Sequence, residues 1–223
     1  NVNDAPTGSV TITGTATEDQ VLTAANTLAD EDVLGTITYT WSNGDTGSTT
    51  TLGQSDVGNA ITVTATYTDG QSTAESVSST ATSAVANVND AGTGMSLASD
   101  GDVADPDEDD TLSVTGTLAD EDGVTGASPT YLWSTGATTS SITLGQSDVG
   151  TTVSVVISYT DDQSESNTIT LTAASDVDNV NDATTGTVTT TGDAYDESTL
   201  TSVTTSLADE DGVGTLAYQW ANQ

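Results

Sequence analysis

Apolar and polar residues alternate one by one along several short stretches of the chain. Ile61, Val63, Ala65 and Tyr67 are interleaved with Thr62, Thr64 and Thr66, and Val153, Val155, Ile157 and Tyr159 form a second such run. Period-two alternation with an apolar face and a threonine face predicts half-buried antiparallel strands. Further strands are expected at 8–15, 21–28, 36–42, 48–52 and 73–85. Turn-rich segments at 30–35, 43–47, 53–58 and 69–72 separate them, since Gly, Asn and Asp supply the backbone conformations that turns need. No helix of useful length is visible.

The pattern repeats. Asn-Val-Asn-Asp-Ala begins at Asn1, Asn87 and Asn179, and Leu-Ala-Asp-Glu-Asp at Leu28, Leu118 and Leu207. Thr-Leu-Gly-Gln-Ser-Asp-Val-Gly begins at Thr51 and Thr143, Tyr-Thr-Asp at Tyr67 and Tyr159, and the Tyr-x-Trp pairs end at Trp41, Trp133 and Trp220. A period of 86 to 92 residues divides the chain into repeats at 1–86 and 87–178 and the first half of a third at 179–223. About seven strands per repeat, with a Trp on the third, predicts an all-β chain of tandem immunoglobulin-like (cadherin-like) antiparallel β-sandwiches. The three Trp residues are expected to anchor the cores rather than to stack on sugars. Both ends of the sequence fall in mid-pattern, so the third repeat is read as continuing beyond the window. Completion by a strand from a neighbouring chain is the alternative.

Composition changes the picture of function more than of fold. The 223 residues include 34 Asp and Glu and no Lys, Arg, His or Cys, for a net charge of −34. Such a charge often marks disorder, yet 48 of the residues are Thr, set among ordered Val, Ile, Leu and Tyr. These residue types favour strands. A nucleic-acid partner would need cationic side chains to displace phosphate counterions, and an anionic membrane surface would repel the chain. Disulfides, Cys/His zinc sites and Ser-His-Asp or Cys-His catalysis lack their residues. No apolar stretch approaches a membrane span. A glycosidase-type acid pair has no support beyond abundant carboxylates, and the Thr-x-Thr runs at 11–13 and 187–191 read as ordinary exposed strand faces rather than an ice-binding surface. The chain is therefore expected not to be an enzyme, and its missing positive charge to come from outside the sequence.

The Asn-Val-Asn-Asp-Ala joints, the Asp-Glu-Asp turns and the Tyr-x-Trp, Ser-Asp-Val-Gly and Tyr-Thr-Asp motifs resemble the tandem extender repeats of giant bacterial surface adhesins. These are immunoglobulin-like and cadherin-like domains of proteins exported by type I secretion. The resemblance covers essentially the whole chain, although no Gly-Gly-x-Gly-x-Asp array accompanies it. It implies an extracellular stalk on the bacterial surface, active in cell adhesion and biofilm, whose neighbouring repeats are joined through calcium. Subunits of an extracellular filament and a ligand-binding adhesive module are the alternatives.

The acids themselves point the same way. On an immunoglobulin-like scaffold the loops carrying Glu18, Asp19 and Asp56, the joint Asn87, Asn89 and Asp90, and the loops carrying Asp120, Glu121, Asp122, Asp161 and Asp162 converge. A second set comprises Glu108, Asp109, Asp148, Asn179, Asn181, Asp182, Asp209 and Asp211. Asn1, Asn3, Asp4, Asp30, Asp32 and Asp69 form half a set. Clustered carboxylates repel unless a cation joins them. Ca²⁺ accepts six to eight oxygens from carboxylates, Asn side chains and carbonyls. The alternative for any one acidic turn is a solvated loop. The run 100–110 contains Asp105-x-Asp107-x-Asp109, but Asp110 and Gly116 stand where an EF-hand loop needs Gly and Glu, so that motif is rejected. An extra local calcium site and a solvated acidic loop both stay open there.

Overall fold

The computed structural model describes residues 2–221, which are all-β apart from one single-turn 3-10 segment at Gln54–Asp56. Two compact units form. The first comprises Asn1–Ala91 with Asp120–Thr125 and Asp161–Glu165; the second comprises Gly92–Ala119, Gly126–Thr160 and Ser166–Gln223.

In the first unit β1 (Val10–Thr13), β2 (Val21–Asn26) and β4 (Thr49–Thr51) make one antiparallel sheet in the order β1-β2-β4. β3 (Thr38–Trp41), β5 (Val63–Thr68) and β6 (Ala74–Ser78) make another, in the order β3-β5-β6. Alternation places Val63, Ala65 and Tyr67 of β5 inward, where they join Val10 and Leu22 of the first sheet, Trp41, and Leu52 and Ile61 in one buried cluster. The arrangement is consistent with a β-sandwich. Trp41 is 2% exposed and its indole N–H donates to the Gly47 carbonyl at 3.0 Å, so its one polar atom is paired inside the core.

The strand expected at 73–85 is shorter than the sequence pattern implies: β6 ends at Ser78. Side-chain hydroxyls take half of the pairing there, while the Ser79 N–H still donates to the Val63 carbonyl (2.9 Å) and the Thr82 N–H to the Ile61 carbonyl (3.0 Å). The Val63 N–H donates to Ser79 Oγ (3.1 Å) and the Ile61 N–H to Thr82 Oγ1 (3.0 Å), so the backbone leaves regular pairing. The chain then re-enters order through parallel bridges of Val85 to Val57 and of Ala86 to Thr17. The Glu18 N–H donates to the Ala86 carbonyl (2.9 Å) and the Ala86 N–H to Ala16 (2.9 Å). This clamp brings the Asn-Val-Asn-Asp segment alongside Glu18.

The second unit repeats the plan. β7 (Thr93–Ser99), β8 (Thr111–Ala119) and β10 (Ser141–Thr143) form one sheet, and β9 (Thr130–Trp133), β11 (Ser154–Thr160) and β12 (Ser166–Thr172) the other. Leu112, Trp133, Leu144, Val153, Val155, Ile157 and Val177 are its buried core. The parallel bridges recur as Val149 to Val177 and Asp107 to Asp178.

The third repeat departs from expectation. β13 (Thr189–Thr191) and β14 (Thr201–Val203) pair only with each other among the described residues, and residues 213–221 form no strand. Trp220 is 56% exposed and Tyr218 54%. The reading of Trp220 as a core anchor is corrected here. Trp41 and Trp133 are buried on strands paired with β5 and β11, whereas among the described residues no such strand pairs with 218–220.

Candidate metal centres

Two groups of three carboxylates form within the first unit: Glu18, Asp90 and Asp122, and Asp30, Asp32 and Asp69. In each, one oxygen from every residue lies within 4.8 Å of the others. Full charges at that spacing repel by about 3 kcal/mol per pair at an effective dielectric of about 20. Glu18, Asp122, Asp32 and Asp69 are all buried, which keeps water from relieving the repulsion.

Backbone donors set the geometry. The Val88 N–H donates to Glu18 Oε2 at 3.2 Å, and the Asp90 N–H to Asp122 Oδ2 at 2.8 Å. Asp120 Oδ1 accepts the Asp122 N–H at 3.0 Å, closing the Asp-Glu-Asp turn. The other oxygen of Asp122, Oδ1, and the Asn87 Oδ1 are buried without a hydrogen-bond partner. In the second group the Asp4 N–H donates to Asp32 Oδ2 (2.8 Å) and the Asp32 N–H to Asp30 Oδ1 (2.8 Å). Asp69 Oδ1 accepts the N–H groups of Gln71 (2.8 Å) and Thr73 (2.7 Å), while Asp69 Oδ2 is buried and unpartnered. Gly70 is needed beside it: a Cβ there would sit 2.6 Å from the Asp32 carbonyl oxygen, which already accepts the Gly70 N–H.

Leaving a buried carboxylate oxygen unpaired is costly, so such atoms call for a partner. The chain has no side-chain cation to offer one. Two unpartnered oxygens, one per group, and an Asn carbonyl oxygen form an all-oxygen donor set. That chemistry suits a hard divalent cation and not a metal that prefers nitrogen or sulfur.

In the second unit the backbone hydrogen bonds of the first group recur, although Asp211 is exposed and the carboxylates do not close into a comparable cluster. The Val180 N–H bonds to Glu108, and the Asp182 N–H donates to Asp211 Oδ2 at 2.8 Å. The Asp211 N–H donates to Asp209 Oδ1 at 3.2 Å. Asn179 Oδ1 accepts the Gln146 side-chain amide (3.1 Å), and Asn181 donates to the Asp182 carbonyl (3.0 Å).

The remaining predicted residues bond elsewhere, most of them within their own turns. Asp56 Oδ2 accepts the Gly53 N–H (3.1 Å) and the Asn43 amide (3.3 Å), and Asp148 Oδ2 accepts the Gly145 N–H (3.0 Å). Both close the turn before the next strand. Asp161 Oδ1 takes the Gln163 and Glu165 N–H groups, each at 2.9 Å. Asn3 donates to Glu75 (2.8 Å), and Asn89 to the Asp90 carbonyl (3.4 Å). Asn1 lies outside the described residues. Asp19 and Asp109 adopt left-handed backbone, φ 61° and 69°, each just after its buried Glu.

That conformation exposes a residue the sequence reading missed. Glu197, with φ 62°, occupies the same place in the third repeat, three positions before Leu200 as Asp19 precedes Leu22. Asp196 is therefore the counterpart of Glu18. The third repeat writes the pair as Asp-Glu rather than Glu-Asp, which hides it from a string search.

Burial, followed by the charges of Asp90, Asp122 and Asp19, holds the Glu18 carboxyl above the ordinary 4.5, against a lowering by the Val88 N–H. Glu108 is raised for the same reasons, with Asp182, Asp211 and Asp109 as the neighbouring charges and the Val180 N–H opposing. Asp90 is raised by burial and by Asp122, Asp19 and Asp120. Groups raised in this way bind protons more tightly folded than unfolded. Their stabilisation of the cation-free protein is complete below the unfolded value and is lost as pH rises through the raised values. The melting temperature of calcium-free protein is thus expected to climb as pH falls from neutral toward the ordinary carboxylate range, and Glu18→Gln to flatten the climb. A melting temperature that stays level or drops over that range would contradict the assignment.

No family model matches the chain, and no curated protein matches it. Among solved structures it is similar to a Ca²⁺-stabilized adhesin with which an Antarctic bacterium reaches out and binds ice, at 20% identity and a TM-score of 0.29. The match covers 86% of this chain and 53% of that one, so the chain spans about half the length of the adhesin. Fold and site rest on the geometry above. No helix among the described residues is long and apolar enough to cross a membrane.

Proposed function

We propose that this chain is a calcium-rigidified segment of an extracellular, surface-attached bacterial adhesin, built of tandem immunoglobulin-like repeats and non-catalytic. The boundaries at residues 86 and 178 belong to that proposal. The observation that carries it is the pairing of three-carboxylate groups with buried, unpartnered oxygens in a chain without one side-chain cation.

Glu18, Asp90 and Asp122 with Asn87 would hold one ion, Asp30, Asp32 and Asp69 a second, and Glu108, Asp182 and Asp211 a third. The bound ion supplies charge neutralisation and a common ligand for chain segments distant in sequence. Asp90 and Glu18 are separated by about seventy residues of chain, so a shared ion fixes the Asn-Val-Asn-Asp segment on the strands before it. Extracellular modules take up calcium with dissociation constants of roughly 0.1–1 mM. The cytosol, with far less free calcium, would leave the segment loose, and the outside would set it. A stalk holding an adhesive tip away from the cell needs that stiffness.

Calorimetric titration with calcium tests the proposal. Binding of two or more ions is expected, with Asp122→Asn removing one of them; heats no larger than dilution would sink it.

The exposed Val188, Tyr218 and Trp220 favour a second reading, in which a strand from another chain completes the third repeat and builds a filament. A monodisperse monomer at high concentration would exclude it.

A further inference from the structure

Within the Asp30–Asp32–Asp69 group, the Asp30 carboxylate is held at both oxygens. Oδ1 accepts the Asp32 N–H at 2.8 Å, and Oδ2 accepts the Tyr67 hydroxyl at 2.6 Å. Asp69 by contrast keeps Oδ2 unpartnered and buried, and Asp32 Oδ2 accepts the Asp4 N–H. Tyr67 is itself 5% exposed, at the inward-facing end of β5, two residues before Asp69. One rigid core strand thus delivers both a ligand, Asp69, and a hydroxyl aimed at the neighbouring loop.

The third repeat supplies an internal comparison. Asp209 stands where Asp30 stands, and its Oδ1 likewise accepts the N–H two residues on, from Asp211. Its Oδ2 also meets a hydroxyl, but that of Thr184, at 2.6 Å. Different side chains from different elements converge on the same oxygen of the same turn. An exposed turn acid needs no such donor, and a hydroxyl bonded to a carboxylate fixes the direction in which its remaining lone pairs point.

We infer that Tyr67 is a positioning residue for the cation bound by Asp30, Asp32 and Asp69. Its hydroxyl locks Asp30, and through the Asp30–Asp32 turn it sets the spacing of Asp32 from Asp69. The inference rests on the cation reading proposed above. Its chemistry is that of an outer hydrogen-bond partner, whose loss commonly lowers metal affinity ten- to a hundredfold. Phe at position 67 would keep the ring in the core and remove only the hydroxyl.

The full chain, labelled with ¹⁵N, is titrated with calcium while the amide signals of Val33 and Gly70 report this site alone. Four proteins are compared: wild type, Tyr67→Phe, Asp30→Asn, and the double variant. Tyr67→Phe is expected to raise the calcium midpoint about tenfold, with β5 and β6 amide shifts of the calcium-free protein retained. The double variant is expected to match Asp30→Asn alone, since Tyr67 acts through Asp30. A Tyr67→Phe midpoint within twofold of wild type overturns the inference, and so does a double variant that adds the two effects in full. If Val33 and Gly70 of the wild type ignore calcium while Asp90 and Asp122 respond, the inference falls and the proposed function stands. If no amide responds, both fall.

Discussion

Calcium at one hundred times its dissociation constant is expected to raise the melting temperature of a chelator-treated unit by about 10 to 20 °C for each site it fills. Each site filled to that level adds about 2.7 kcal/mol. A unit of this size shifts by roughly 4–8 °C per kcal/mol. The gain is large because the calcium-free reference is poor: carboxylates within 4.8 Å of one another, and Asp69 Oδ2 and Asp122 Oδ1 buried with no partner. Magnesium should do less, because it keeps its waters and demands stricter octahedral geometry. Differential scanning calorimetry with chelator, with magnesium and with calcium decides the matter. Superimposable melting curves would remove the reason for assigning these groups to a cation.

The second large effect separates two tryptophans that look alike in the sequence. Trp41→Ala is expected to cost about 3–5 kcal/mol, since it empties a buried site and strips the Gly47 carbonyl of its donor. That is a large share of the total stability of about 5–15 kcal/mol usual for a domain. Trp220→Ala is expected to change stability by less than about 0.5 kcal/mol, because the residue is 56% exposed. Urea denaturation of both variants in calcium checks this. Equal losses would mean that Trp220 is packed in solution.

The contrast shows what alternation along the chain can and cannot carry. The inward faces of β5 and β11 were legible because every second residue is apolar and every other is Thr or Ser, with Val156 the exception. The fate of Trp220 was not, because burial of a Tyr-x-Trp pair depends on the strand opposite and not on the pair. The end of β6 was hidden for a different reason. Ser79 and Thr82 are good strand residues by type, yet their hydroxyls, in place of backbone carbonyls, accept the N–H groups of Val63 and Ile61, so the pairing continues but is no longer a regular ladder.

At the site, residue type and repetition marked the acids, but a single-chain reading could not sort their tasks. Asp122 and Asp56 are both Asp in a turn between strands. One reaches toward two distant segments, and the other bonds the Gly53 N–H three residues back. Only the path of the segment around Val85 and Ala86, held by parallel bridges, brings Asp90 to Glu18. Such pairings arise from tertiary structure and leave no local trace. Asp196 was missed because its order with Glu197 is reversed, although alignment on Leu22, Leu112 and Leu200 exposes it.

Across the fourteen strands of the described residues the only acidic residue is Glu75. The sheets are electrically bare, faced with Thr and Ser hydroxyls, while nearly all the charge sits on the connections. A sheet rim is normally kept from sticking to its like by a charge planted on it. Here that duty falls to repulsion radiating from the loops, which reaches only about 8 Å at physiological ionic strength. Any cation taken up by these turns would therefore also dim the field that keeps copies apart. On the proposed reading, rigidity and crowding tolerance would be coupled through the same carboxylates.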